Sequence, residues 1–490
     1  MVRRCRLPAL LSALGILATI CGVPAPASAG PTTTPTVSVH RVSADSPFAA
    51  GESCSPLSGA QTHGFEADPV MARSPHGLVA AWNQESRDTG LGVVTARSSD
   101  GGGTWTQSVP RGLSSCEPGG SLAPGTFEPT LAVDGAGTTF LLSGGNNIIG
   151  PLPVGADPTV AVSRSTDGGA TWSKPTTFTE GQLTSGPRIT ADPTNPHAVA
   201  ITWIGHGAPD AVWFSRTADD GATWSVPRPI RLSPPGVVIT TFSPTTLADG
   251  TLLGIADDVP YSDLLAMLGG PNLNPQGSGR TMTAYRSTDH GLTWTGGALV
   301  AFGASVATLG TDGVGTHEVA QAPDGSIYVL GSSLDNASQR VWRLYRSPDG
   351  GKSWTPGPMV PLQHDTSHGL SDVGPHNLAI AADGTFGVLH DDNRNDVPGD
   401  KIVTTDVWLT YSRDRGLTWG EVHIGGPFDF TAADGSQQQD YQQLLGQRNG
   451  FGAVFQLGPC TSSTSSPSCP RSTRGPTDVY FADVSLSDGP

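Results

Sequence analysis

Four carboxylates stand at matching places in this chain. When the segments that read as innermost strands are aligned by the turns that end them, Asp68, Glu128, Glu318 and Asp440 fall where each strand begins, with Gly186 and Asn377 at the same place in two others. Carboxylates crowded on one rim either share protons or recruit positive charge. The chemistry open to them is general acid–base work or the holding of a cation such as Ca2+. The plainer account is that Asp-Pro and Glu-Pro simply start strands. His317 and His376 enter equivalent strands beside this ring and read as satisfied channel histidines. Asp391, Asp392, Asn393 and Asp396 form a second acidic run whose spacing is not that of an EF-hand, so a solvated, turn-rich loop is the expectation.

Whatever these residues do, a repeated element must position them. Ser165 to Trp172 reads STDGGATW, and close copies start at Ser98, Thr217, Ser287, Ser347 and Ser412, all fitting [S/T]-x-D-x-G-x-[T/S]-W. The Asp of each copy (Asp100, Asp167, Asp219, Asp289, Asp349, Asp414) can accept hydrogen bonds from the amides of a tight turn. The shared Gly can take a positive φ without a steric cost. Each copy is therefore a hairpin tip, and the Trp that closes it offers an apolar face to pack between neighbouring sheets.

Around each box the chain repeats one order: strand, turn, strand, loop, strand, box, strand. The units run from Phe65, Glu128, Gly186, about Val237, Glu318 and Pro375, with box-to-box spacings of 67, 52, 70, 60 and 65 residues. A variable period with a constant core places the insertions in loops. The largest follow the second strands: Asn146 to Asp157, Ala256 to Arg280 with a short helix at Ser262 to Leu268, and His390 to Thr405. Four strands per unit make a propeller blade. Beyond the sixth box three strands remain, and Thr36 to Ser43 is an orphan strand that would complete a seventh blade and leave no open edge. The expected fold is all-β, a propeller of four-stranded antiparallel blades, seven favoured and six the alternative, closed by the N-terminal strand.

The box resembles the Asp-box of the sialidase-like, or BNR-repeat, proteins, and the resemblance covers the chain from the first box to the last. It implies a glycan or glycoconjugate as partner and an exo-acting glycoside hydrolase of sialidase type. Tyr441, in DYQQLLGQRNGFGAVF, matches the family's nucleophile, Glu318, in THEVAQAPDG, its base, and Asp88, in NQESRDTG, its acid/base. A phenol suits a substrate that carries its own carboxylate, because a carboxylate nucleophile would meet an anion. The arginine triad expected to grip that carboxylate is incomplete. Ala67-Asp68-Pro69 and Gly331-Ser332-Ser333 stand where two arginines should, leaving Arg394 as the third, with Asp68, Glu128 and Asp440 on the rim. A guanidinium clamp is hard to replace, so a non-catalytic propeller that binds carbohydrate or protein is the competing expectation.

Composition sets the surroundings. With Gly 64, Pro 42 and 14% charged residues in 490, the chain has the profile of many short strands joined by tight turns. Arg3, Arg4 and Arg6, an apolar run to about Val23 and Ala27-Ser28-Ala29 read as a secretory leader over 1–29, followed by a linker over 30–35 and one propeller domain over 36–490. Loss of three arginines with the leader would take the formal charge from −16 to −19, which argues against nucleic acid and anionic membranes as partners. A secreted, extracellular monomer that requires no cofactor is expected. Cys54 with Cys116, and Cys460 with Cys469, are the disulfides that the blade layout suggests.

Overall fold

The computed structural model describes residues 34–48, 64–84, 92–114, 126–145, 148–149, 152–153, 159–181, 183–262, 281–302, 319–334, 340–362, 375–397, 402–430, 442–460 and 477–486. Seven four-stranded antiparallel sheets make up the fold, with one further two-stranded hairpin at Ile148–Ile149 and Leu152–Pro153. Blade 1 runs from Glu66–Ser74 to Thr106–Ser108 and blade 2 from Thr126–Val133 to Thr176–Phe178. Blade 3 spans Leu183–Ala191 to Arg228–Leu232, and blade 4 Val237–Thr246 to Thr295–Phe302. Val319–Gln321 to Thr355–Val360 is blade 5, and Pro375–Ile380 to Gly420–Asp429 is blade 6. The innermost strands touch in ring order, the seventh (Gln443–Gly446) returning to the first.

Burial explains the strand sequences. Second strands such as Gly77–Gln84, Val199–His206 and Gly450–Leu457 are buried on both faces and read as almost continuous apolar runs. Fourth strands lie at the rim and are polar, as in Arg228–Leu232. The seventh blade closes as expected. Thr36–Arg41 pairs antiparallel with Asp478–Ser485, from Thr36 opposite Ser485 to Arg41 opposite Tyr480, and Val37 and Val39 pack on the core beneath. With both chain ends in one sheet, the last blade has its four strands and the ring is closed at this seam.

All six boxes form the same turn. In the second, Asp167 Oδ1 accepts from the Ser165 hydroxyl at 2.7 Å and the Thr171 amide at 2.8 Å, while Oδ2 accepts from the Thr171 hydroxyl at 2.6 Å. The shared Gly has a φ between 77° and 104° in every copy. The residue before it is also left-handed: Gly101, Gly168 and Gly350 in three copies, Asp220, His290 and Arg415 in the others. Each box Trp packs on the preceding blade. Trp105 meets Phe481 edge-on at 5.7 Å, Trp224 meets Phe140 at 6.4 Å, and Trp294 meets Phe214 at 5.9 Å.

Three local expectations change. The second strand of blade 4 continues to Pro260, so its insertion begins five residues later than the sequence suggested; Tyr261 and Ser262 are helical, and the rest of the expected helix lies outside the described residues. The acidic run in blade 6 is not a solvated loop: Asp391, Asp392, Asn393 and Asp396 are all buried. Their polarity is met from within, since Asp392 receives Arg394 and Asp396 Oδ1 accepts from the Thr404 amide at 2.8 Å. Third, Asn377 pairs with Leu389 and so shares the rung of Val70 with Ala81, not the place of Asp68.

Candidate functional site at the channel mouth

The innermost strands of blades 1 to 3 carry the same irregularity. Register shifts fall between Ala67 and Val70, Phe127 and Thr130, and Ser185 and Arg188, so Asp68-Pro69, Glu128-Pro129 and Gly186-Pro187 are matching bulges. Their first residues are left-handed, with φ of 55°, 47° and 56°. Gly186 takes that conformation without a Cβ clash, whereas for Asp68 and Glu128 it is strained. Strain of this kind persists where the surrounding structure over-determines it, and it gathers at functional sites.

Both acids sit at the end of the channel opposite the boxes. Below them is a cavity of about 120 Å³ to which every innermost strand contributes, with Val70, Thr130, Arg188, Ser243, Val319, Asn377 and Gln443 among its walls. Val70, Thr130, Arg188, Ser243 and Asn377 share one rung of their blades. The bulges therefore aim the residue after each Pro into the channel and hold the residue before it at the mouth.

Asp68 and Glu128 act on each other. Burial, and then the Glu128 charge, push the Asp68 carboxyl up to about 7, against the Asn83 side chain, the Arg188 charge and the Glu128 amide. Asn83 Nδ2 donates to Asp68 Oδ2 at 2.8 Å. Arg188 Nη1 lies 3.4 Å from Glu128 Oε2 and donates to Pro187 O at 2.9 Å. The result is a carboxyl that carries a proton near neutral pH, a second carboxylate beside it and one guanidinium facing that carboxylate. Such an arrangement can protonate a leaving oxygen or hold a polyhydroxylated ligand.

A second buried acid ties this mouth to the ring closure. Glu66 Oε2 accepts from the Val479 amide at 2.9 Å, and the Glu66 amide donates to Thr477 Oγ1 at 2.7 Å. Burial, with Asp478 next to it, raises the Glu66 carboxyl well above the usual range. Arg41, from the closing strand, pairs with Asp478.

Of the residues expected from sequence, Asp68 and Glu128 are brought together here. Asp88, Glu318, Asp440, Tyr441 and His317 lie outside the described residues, as do Cys54, Cys116 and Cys469. Arg394 is placed elsewhere: its guanidinium grips Glu421 at 2.8 and 3.0 Å and Asp392 at 2.7 Å, and stacks 4.3 Å over Trp408, on the outer half of blade 6. The arginine that lines the described channel is Arg188, which the sequence reading passed over. Its signal was present in Asp68-Pro69-Val70, Glu128-Pro129-Thr130 and Gly186-Pro187-Arg188, a repeated x-Pro-y in three successive units. Among the described residues no group of three or more His, Cys, Asp or Glu is placed to hold a metal, and no helix is long and apolar enough to cross a membrane.

No protein-family model and no curated protein matches the chain. Among solved structures, a Hadza microbial sialidase is similar at 16% identity and a TM-score of 0.43, over 86% of this chain and 65% of that one. A protein of unknown function from Dyadobacter fermentans is similar at 15% identity and a TM-score of 0.45, over 86% of this chain and 95% of the other. Trypanosoma rangeli sialidase in complex with sialic acid is similar at 13% identity and a TM-score of 0.42, over 78% and 55%. The chain spans about half to two thirds of the length of these two sialidases. The likeness is one of fold. With seven four-stranded blades and a box between the third and fourth strands of six of them, the fold is a seven-bladed β-propeller.

Proposed function

We propose that the protein is a secreted propeller that acts on a glycan at the mouth of its channel, as an exo-acting glycoside hydrolase. The observation that carries this reading is the pair Asp68 and Glu128, two carboxyls held in strained, left-handed bulges of adjacent blades, one of them pushed up to about 7. A carboxyl protonated near neutral pH is what a general acid for glycosidic cleavage requires. Tyr441 as nucleophile, Glu318 as its base and Asp88 as acid/base complete the reading through the family resemblance, and Asp68 competes with Asp88 for the acid role. Secretion and the pairings Cys54–Cys116 and Cys460–Cys469 belong to the same proposal. Non-reducing peptide mapping checks both pairings.

The test is a panel of aryl glycosides, neutral sugars and sialosides included, with leaving groups of graded acidity. Hydrolysis by the wild type and its loss in Tyr441→Phe support the mechanism. Of Asp68→Asn and Asp88→Asn, the variant rescued by the better leaving groups identifies the acid, since such substrates need little protonation. One observation favours a second reading, carbohydrate binding without turnover: Arg188 already faces Glu128, and Arg394 already holds Asp392 and Glu421. Binding of a glycan with no hydrolysis across the panel would select it.

A further inference from the structure

The geometry points to a second catalytic centre on blade 3, a Ser185–His206–Asp210 relay that hydrolyses small carboxylic esters such as an acyl group on a sugar hydroxyl. It stands independently of the glycosidase reading. Ser185 Oγ lies 2.7 Å from His206 Nε2, and His206 Nδ1 lies 3.4 Å from Asp210 Oδ2. Nucleophile, base and orienting carboxylate thus fall in the order that nucleophilic acyl transfer needs, each on the correct ring nitrogen.

The fold supplies the placement. Ser185 belongs to the innermost strand Leu183–Ala191 and immediately precedes the Gly186 bulge, while His206 ends the second strand Val199–His206. Leu183 pairs with His206, so Ser185 is its diagonal neighbour two residues along the same face. Asp210 is fixed from three sides: its Oδ1 accepts from the Gly207 amide at 3.1 Å, its Oδ2 from the Ile239 amide at 3.2 Å, and its own amide donates to Ser233 Oγ at 3.0 Å. Although burial pushes the Asp210 carboxyl up, hydrogen bonds from His206 and Gly207 outweigh it and keep the group below its ordinary value. It therefore remains a carboxylate, which favours the imidazole proton on Nδ1 and leaves the Nε2 lone pair for Ser185.

Exposure follows the same logic. Asp210 is buried, whereas Ser185 is half-buried and the imidazole keeps 25% of its surface open. The pair that must meet substrate is reachable, and the group that only orients is not. Ser185 also lies three residues before Arg188, which lines the channel, so an acylated sugar could present its ester there.

In the reaction, Ser185 Oγ bonds to the ester carbonyl carbon as its proton passes to His206 Nε2. The acyl–oxygen bond breaks and the departing alcohol takes that proton. Water, activated by the same nitrogen, then attacks the acyl-serine and releases the carboxylic acid, restoring Ser185 with its proton. No oxidant or metal enters the balance.

The full-length protein is incubated with p-nitrophenyl acetate, with an acetylated monosaccharide and, separately, with a fluorophosphonate probe whose attachment is mapped by peptide mass spectrometry. Labelling at Ser185 is expected, with hydrolysis of both esters reduced by about 10²–10⁴-fold in Ser185→Ala and His206→Asn. Asp210→Asn, which alters a positioning residue, is expected to shift the pH profile of the residual rate as well as lower it. The absence of label at Ser185 on the folded wild type overturns the proposal. So does ester hydrolysis that survives Ser185→Ala. Should either variant fold poorly, the labelling of the wild type decides alone.

Discussion

On the box face, Asp219 receives the hydroxyl and amide of Thr223 and the hydroxyl of Thr217, and its carboxyl falls to about 2. Asp167, Asp289, Asp349 and Asp414 stand at about 2 as well, and Asp100 is lowered further. At the channel mouth Asp68 has Asn83 and the Glu128 amide as donors, yet it rises to about 7 because burial and the Glu128 charge outweigh them. The same side chain therefore does opposite things at the two ends of the strands. Where donors are many and water is near, an Asp is a permanently charged turn lock. Where it is desolvated beside a second acid, it becomes a proton store.

The comparison breaks first at activity. Asp68→Asn is expected to lower turnover by about 10²–10⁴-fold if Asp68 is the acid, while leaving the melting temperature unchanged or higher, because a desolvated carboxyl next to Glu128 has been removed. Glycosidase assays paired with thermal melts measure both. An Asn variant that keeps full turnover would return Asp68 to the role of a strand start.

Box substitutions should show the reverse. Asp167→Ala strands the Thr171 amide and hydroxyl and the Ser165 hydroxyl, so the melting temperature falls while turnover per folded molecule holds. A box variant that loses turnover without losing stability would put function on the wrong face.

The two classes also separate by pH. Box carboxyls are lowered in the folded state, so their contribution to stability is present above about 4 and lost as pH falls through about 2. Asp68 is raised, so its contribution is present below about 4 and lost as pH rises through about 7. Melts from pH 2 to 9 should show decline at both ends. Asp68→Asn should flatten only the upper one, and an upper limb that keeps its slope in this variant would assign that decline to another group such as Glu66.

How far the sequence reveals this follows from what each feature depends on. The boxes are local: an Asp, a Gly and a Trp at fixed spacing define the turn and the packing, so blade count and ring closure were legible. The pairing of Asp68 with Glu128 was half legible, because aligned strand starts put both on one rim. The role of Arg188 was legible only through the repeated x-Pro-y, since a bulge changes which residue faces the channel and nothing in a strand's alternation reports it. The acidic run of blade 6 misled for a related reason. Its polar residues imply solvent, but Arg394, itself stacked on Trp408, meets Asp392 and the Thr404 amide meets Asp396 from within the fold. His206 and Asp210 sit four apart at a strand end, where only the diagonal across the sheet to Ser185 gives them meaning.

The smallest effect tests strain alone. Both ends of the blades hold non-glycine residues in the left-handed region: Asp220, His290 and Arg415 in the boxes, Asp68 and Glu128 at the mouth. In the boxes the same position is Gly in three copies, so the side chain is dispensable there. Arg415 makes one ion pair with Asp324 at 3.0 Å, between partners 61% and 33% exposed, which contributes at most about 1 kcal/mol. Relief of a left-handed side chain gives back about 1–2 kcal/mol, of which the added chain entropy of Gly takes about 0.5–1 kcal/mol. Arg415→Gly should therefore leave the melting temperature within a few degrees of wild type, with turnover unchanged. Gly350→Arg, which introduces the strain without the ion pair, should cost stability. At the mouth, Asp68→Gly relieves the same strain and removes a desolvated acid, so the melt should rise while turnover is lost. If Arg415→Gly and Asp68→Gly behave alike in both assays, then left-handed strain does not distinguish the two ends of the blades, and Asp68 is a strand start rather than the acid.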